Sequence, residues 1–336
     1  MATLKAVGAP LDAQGLKQAL GVLSGGAAEL WAVIAVETSG CGFLPDGRTK
    51  ILFERHVFSK RTGGRYDARY PDLSNPIAGG YLGDAGEYTR LKRAIGLDRE
   101  AALLSTSWGL GQVMGYNAKY AGHPSVGAMV EAFGASESAQ VVGMAEFIKS
   151  QGLAPALQAH DWARFARGYN GPAYRKNSYD TRLAAHFQFL GHGGLPDVNV
   201  RAAQVYLTYL GFDVRGVDGV VGRFTRSALN AFQQANGLRL TDKVDAMTLD
   251  ALKRAAAKKV TPTTVAAAGE PGIVVPGVTF GIVVRAPSRT RPMGSAARAA
   301  KKPRKKKSAR VANARASAKR RTRREAKKPT AGTRRR

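Results

Sequence analysis

"LWAVIAVETSGCGF", residues 30–43, is unbroken apolar chain as far as Val36, then places one carboxylate, Glu37, and then dissolves into small residues. Leu30, Val33, Ile34 and Glu37 fall at i, i+3, i+4 and i+7, which predicts a helix with the carboxylate at its C-terminal tip. A carboxyl there meets two pressures. Burial disfavours its ionised form, and the negative end of the helix dipole opposes ionisation further. Both favour an acid still protonated near neutral pH, the state required to donate a proton to a glycosidic oxygen. The small residues that follow leave room for a sugar ring. On this stretch alone the plain alternative, a glutamate that ends a helix and points to water, is the favoured reading.

Two further stretches weigh against the plain alternative. "STSWGLGQVMGYNAKYAG", residues 105–122, sets Trp108, Gln112, Tyr116 and Asn117 among glycines, and "ARGYNGPAYRKNSYDTRLAAHF", residues 166–187, supplies Tyr169, Asn170, Tyr174 and Tyr179. Sugar rings have apolar faces rimmed by hydroxyls, so aromatic faces beside amides suit them. The same residue types also build cores and turns.

The 336 residues carry 52 Lys/Arg against 24 Asp/Glu, a net charge of +28. That excess sits at one end: Arg285–Arg336 holds 22 basic residues and one acid, Glu325, leaving +7 over the first 284. Basicity is therefore a property of the tail. One cysteine, Cys41, excludes an internal disulfide framework. Residues 1–21 carry Asp12 and lack the apolar core of a signal peptide. The longest apolar suspect, "PGIVVPGVTFGIVV" at 271–284, has 14 uncharged residues. A spanning helix needs roughly 20, so no transmembrane segment is expected.

Residues 1–190 are expected to form one mainly helical unit, with helices over 99–104, 138–150 and 160–167 and a largely irregular segment over 62–88. "GHGGLPD", residues 191–197, is expected to be a flexible joint. A second unit, 198–257, contains three amphipathic helices: one ended by Gly211, one running from Thr225 to Asn236-Gly237, and a short last one. "VDGVVGRFT" and "VDAMT" form a weak internal repeat within it. About 60 residues is a small core, though within the range that folds alone. Linker composition occupies 258–284, and the Lys/Arg-rich segment 285–336 is expected to be disordered.

"ET-S-G" at 37–40, "GLGQVM" at 109–114 and "YNG…Y" at 169–174, in that order, are similar to the motifs of goose-type lysozymes and lytic transglycosylases. With "FLPDGRTKILFERHVF" at 43–58, the stretch from Leu23 to Leu190 more closely resembles the N-acetylmuramidase domains of phage endolysins. The resemblance implies a lysozyme-like helical fold that cuts the glycan strands of peptidoglycan, with Glu37 as catalytic acid. Gln112, Tyr169 and Asn170 fall on its substrate-cleft motifs, and Trp108, Tyr116 and Tyr174 join them as candidate contacts. Gly111 stands where the family pattern has methionine. Asp46 and Glu54 are both candidates for a second carboxylate, Glu54 as a supporting acid paired with Arg55 or Arg48. An inverting hydrolase would hold such a group about 6.5–9.5 Å from the acid, whereas a transglycosylase, using the sugar's own hydroxyl, needs none.

The block 200–238 resembles the peptidoglycan-binding domain family at Gln204, Leu207, Leu210-Gly211, Asp218-Gly219, Gly222, Thr225, Ala228, Phe232-Gln233 and Gly237. Most of these are turn and helix-contact positions. Ala246 replaces the family's second glycine.

Together these readings imply an endolysin-type enzyme cleaving the β-1,4 bond between N-acetylmuramic acid and N-acetylglucosamine. Neither metal nor organic cofactor is called for. It would act as a monomer, be made in the bacterial host cytoplasm without a signal peptide, and reach periplasmic peptidoglycan after release. The rivals are a lytic transglycosylase giving 1,6-anhydro products, a stem-peptide amidase using Cys41 and His56, and a non-enzymatic wall- or DNA-binding protein. The five histidines lack metallopeptidase spacing. The tail offers counterion release to anionic envelope polymer or lipid, and to nucleic acid only non-specifically, having no aromatic on which bases could stack. If the tail serves targeting, deleting 285–336 weakens salt-sensitive adsorption to whole envelopes and spares hydrolysis of purified wall. Equal loss of both refutes that role.

Overall fold

In a computed structural model that describes residues 8–38 and 40–259, the apolar run from Leu30 becomes the central helix of the larger unit. Helix α1 spans Ala13–Leu23 and α2 spans Ala27–Thr38. The spacing predicted a single apolar stripe on α2. Instead Leu30, Trp31, Ala32, Val33, Ile34 and Val36 are all buried, so the helix is covered on every side. The helices that follow in this unit are α3 (Arg55–Arg61), α4 (Asp84–Leu97), α5 (Arg99–Leu104), α6 (Val126–Ala135), α7 (Glu137–Ser150), α8 (Ala154–Gln158), α9 (Trp162–Asn170) and α10 (Tyr179–Gly193). Helix α10 packs along α2, and α1 packs along α7. Side-chain oxygens of Asp12, Asp98, Ser125, Ser136 and Asp161 accept from the orphan amides at five helix starts.

The expectation of a helical unit missed a small antiparallel sheet. Strand β1 (Ile51–Phe53) pairs with β2 (Thr106–Trp108), with Ile51 opposite Trp108, and β2 pairs with β3 (Val113–Met114). Strands of two and three residues are too short to declare a period. The 62–88 segment also departs from expectation: it is irregular only as far as Gly83, because α4 opens at Asp84 and takes in Tyr88. The irregular part is pinned at several points. Arg55 donates to the carbonyls of Pro71, Ile77 and Ala78, and Asp67 accepts from Ser59 and Ser74. A fully buried pair anchors it to the sheet. The Glu87 carboxylate accepts from Arg90 (2.8 Å) and from the amides of Phe53, Leu82 and Gly83, while Arg90 also donates to the carbonyls of Phe53 and Asp72.

The second unit contains α11 (Val198–Leu210), α12 (Arg223–Ala235) and α13 (Ala246–Lys259) around Ala203, Leu207, Leu229, Phe232 and Leu252. Its internal repeat has a physical basis. Buried Gln204 accepts from the Asp218 and Gly219 amides and donates to the Thr225 hydroxyl, stapling the turn that precedes α12. Gln233 repeats the device one helix later, accepting from the Thr241 amide and donating to the hydroxyls of Thr241 and Thr248. Ala246 does not disturb this turn, whose Asp245 carboxylate accepts from the Thr248 amide at 2.7 Å.

The segment 191–197, expected as a flexible joint, is helical in its first three residues. Helix α10 continues to Gly193, the Asp197 carboxylate caps α11, and the Asp197 amide donates to Gly219. The two units also share a core, in which Phe43 packs with Val205, Tyr209, Val217 and Ala256. Among the described residues no single helix is long and apolar enough to cross a membrane. The expected linker's first two residues, Lys258 and Lys259, belong to α13, and the rest of it and the tail lie outside the described residues.

Removing Arg90 strands the Glu87 carboxylate in the core. Arg90→Met is expected to cost about 3–5 kcal/mol of stability, read as a lowered urea midpoint. Adding Glu87→Gln should recover most of the loss.

Candidate functional site

Glu37 is the penultimate residue of α2, and its surroundings come from the far end of the unit. Asn170, the last residue of α9, donates from Nδ2 to Glu37 Oε1 at 3.0 Å. Arg182, one turn into α10, donates to the Val36 carbonyl at 2.9 Å and so caps the end of α2. Its guanidinium also lies 5.7 Å from the Tyr179 ring centroid. Tyr169 stacks on Phe165, meets Phe147 edge-on, and donates its hydroxyl to the Gly111 carbonyl at 2.7 Å. The pattern's missing methionine is explained here: a side chain at Gly111 would run into Met144, whose Cγ lies 2.7 Å from the position of a Cβ. The volume is filled from α7 instead.

The electrostatics follow from this enclosure. Glu37 keeps a small contact with solvent, yet burial pushes its carboxyl from 4.5 up to about 7, against the opposing pull of the Asn170 hydrogen bond and the Arg182 charge. The hydroxyls of Tyr169 and Tyr179 are raised as well, first by burial and then by the neighbouring Glu37. An acid half-protonated near neutrality, held by an amide and faced by a cation, can give up a proton and tolerate the charge left behind. Asn170 Oδ1 is buried without a hydrogen-bond partner and remains available as an acceptor.

The structure brings Glu37, Tyr169 and Asn170 together, and gives the other candidates contacts of their own. Trp108 is 1% exposed, donates its indole N–H to Leu103 and is a core residue; Tyr174, at 6%, is likewise in the core. Aromatic content does not distinguish core from cleft, and the expectation for these two is corrected. Gln112 sits at φ +47° in the β2–β3 hairpin, with its amide spent on Ser107 and Gly109, so it holds the turn. Tyr116 is exposed, with Arg61 5.1 Å from its ring centroid.

Both candidate second carboxylates are engaged away from Glu37, and Glu54 does not partner as expected. Asp46 is engaged by the amide and guanidinium of Arg48. Glu54 accepts from the Tyr81 hydroxyl at 2.9 Å, with His56 Nδ1 at 3.1 Å but off the line of a hydrogen bond, and pairs with neither Arg55 nor Arg48. The charge acting on Glu37 is Arg182, which the sequence reading missed; its one signal was the Tyr179/Arg182 spacing of one helical turn.

The Cys41/His56 dyad finds no support. The thiol donates to the Phe43 carbonyl, and burial reinforced by the Glu137 charge pushes it to about 11, the reverse of activation. A pocket of about 600 Å³ opens between Cys41–Lys50 and residues 208–217, and Glu37 does not line it.

Residues 26–190 match the N-acetylmuramidase family, and residues 196–252 match a putative peptidoglycan binding domain family. The chain is 40% identical to the Burkholderia AP3 phage endolysin of known crystal structure, over 53% of this chain and 69% of that one, with a TM-score of 0.50. No curated protein matches the chain.

Because folding raises the Glu37 pKa, the protonated side chain contributes stability that is complete below about 4.5 and lost as pH rises through about 7. Glu37→Gln removes that loss. The variant is expected to match the parent at pH 4 and to exceed it by about 3 kcal/mol at pH 8.5 in urea unfolding. Asn170→Ala, lacking the bond that favours the carboxylate, should move the Glu37 midpoint in a carboxyl NMR titration above about 7.

Proposed function

The chain belongs to the endolysin-type N-acetylmuramidases that carry a peptidoglycan-binding domain, which are peptidoglycan-cleaving glycosidases, and on that premise we propose that it cleaves the β-1,4 bond between N-acetylmuramic acid and N-acetylglucosamine with Glu37 as general acid. The observation that carries this reading is the Glu37 carboxyl, pushed to about 7 at the tip of α2 and hydrogen-bonded by Asn170. Glu37 donates its proton to the glycosidic oxygen as the bond to the sugar's anomeric carbon breaks. Positive charge develops on the ring, and the carboxylate left behind stays paired with Asn170 Nδ2 and faced by Arg182. Water then adds to the anomeric carbon, and its proton returns to Glu37. Asn170 Oδ1, otherwise unpartnered, suits a sugar hydroxyl or acetamido N–H.

A second route has one specific support. The charged group acting on Glu37 is a cation and not a carboxylate, so the muramic acid's own 6-hydroxyl is a competent attacker in place of water. In the cell, the chain would be made in the bacterial host cytoplasm, reach the wall after release and lyse the cell as a monomer. Its Lys/Arg-rich segment would favour anionic envelope polymer or lipid.

Glu37→Gln keeps shape while removing the acid. Muropeptide release from purified sacculi and clearing of permeabilised Gram-negative cells are expected to fall by about 10²–10⁴-fold. The parent's kcat/KM should fall about tenfold per pH unit above about 7, as the acid deprotonates. Mass spectrometry of the digest should find reducing muramic ends; ends lighter by one water would assign the 6-hydroxyl route. Parent-level activity in Glu37→Gln sinks the proposal.

A further inference from the structure

The second unit touches the first at the loop that leaves Glu37. Arg201, on α11, is 0% exposed and donates to both oxygens of Glu137, on α7, one of them at 3.0 Å, and to the Gly40 carbonyl. Glu137 in turn accepts from the Gly42 amide at 2.8 Å and the Leu11 amide at 3.0 Å. Gly40 is three residues beyond Glu37 in the chain. Its φ is +86°, and a Cβ there would lie 2.1 Å from the Val217 carbonyl oxygen of the binding module. The glycine of the "ET-S-G" motif thus takes its backbone against the module itself. Phe43, at the far end of the same loop, packs on Val205, Tyr209 and Val217, and Tyr209 donates to the Gly8 carbonyl at 2.9 Å. A module serving only as an anchor would need none of these contacts.

We propose that Arg201 is a positioning residue for Glu37, acting through Gly40 and Glu137, so that the peptidoglycan-binding module is a working part of the muramidase site and not a tethered anchor. The inference rests on Glu37 being the acid. A buried guanidinium forked between a carboxylate and a carbonyl holds Gly40 directly and the Gly42 amide through Glu137. Without it, the Gly40 carbonyl loses its donor and Gly40 can shift. A displacement of about 1 Å in a proton donor is enough to cost up to about 100-fold in rate.

The experiment uses the full chain and two substrates: intact sacculi, which reward anchoring, and soluble glycan oligomers without stem peptides, which do not. Arg201→Met is expected to lower kcat on the soluble oligomers by about 10–100-fold with KM little changed, and Arg201→Lys to restore part of it. Since Arg201→Met also strands Glu137, the pair Glu137→Gln with Arg201→Met supplies the decisive comparison. Removing both charges should return the unfolding midpoint close to the parent's, while kcat stays low because nothing holds Gly40. Recovery of kcat together with stability, or a loss confined to sacculi, overturns the proposal. Should Glu37→Gln itself remain active, the failure lies with the acid assignment and not with Arg201.

Discussion

A carboxylate removed from water must be met by donors on every side, and Glu137 is where the fold satisfies that requirement. Burial alone would raise its carboxyl. The charge and hydrogen bonds of Arg201, with the amides of Gly42 and Leu11, outweigh burial and hold it below the usual range. Those four donors come from the start of the chain, from the loop after α2 and from the second unit, segments far apart in sequence. None can leave without exposing a buried charge. The two units are therefore joined by an electrostatic constraint at the centre of their interface, with the Phe43–Val205–Tyr209 packing around it.

Glu37 and Glu137 pose the same problem with opposite outcomes. Both carboxyls are enclosed. Glu137 receives a forked arginine and two backbone amides, so it stays ionised and structural. Glu37 receives one amide hydrogen bond and a cation engaged mainly with a backbone carbonyl, so desolvation prevails and its proton is retained to about 7. The environment divides the roles, and the proposed acid is the glutamate the fold leaves under-compensated.

How much of this was legible in the sequence follows from the range of each signal. The carboxylate at the end of an apolar run, the Gly211 and Gly219 turns and the weak repeat of "VDGVVGRFT" in "VDAMT" are local patterns, and each stands in the structure where spacing put it. Tyr169 and Asn170 were found through an ordered motif. Trp108 and Tyr174 were not separable from cleft residues, because an aromatic beside an amide reads alike in a core and on a sugar-binding face. Gln112 belonged to a hairpin whose strands are too short to announce themselves. Arg182 and Arg201 were missed for a different reason. A lone arginine on a helix normally faces water, and only tertiary packing shows that one caps α2 and the other is wholly buried.

The same contacts change what a wall-binding module can contribute. A module on a flexible tether raises the local concentration of a catalytic unit and leaves its orientation free. Here the segment expected to be that tether begins in the last turn of α10 and ends in the Asp197 cap, with only Gly194, Leu195 and Pro196 between, and the module's Val217 carbonyl lies against Gly40. Glycan held by the module would meet the Glu37 site at a fixed angle and distance. On that proposal effective concentration would become a matter of geometry: strands arriving in the matching orientation would be favoured, and others would gain less from the second unit.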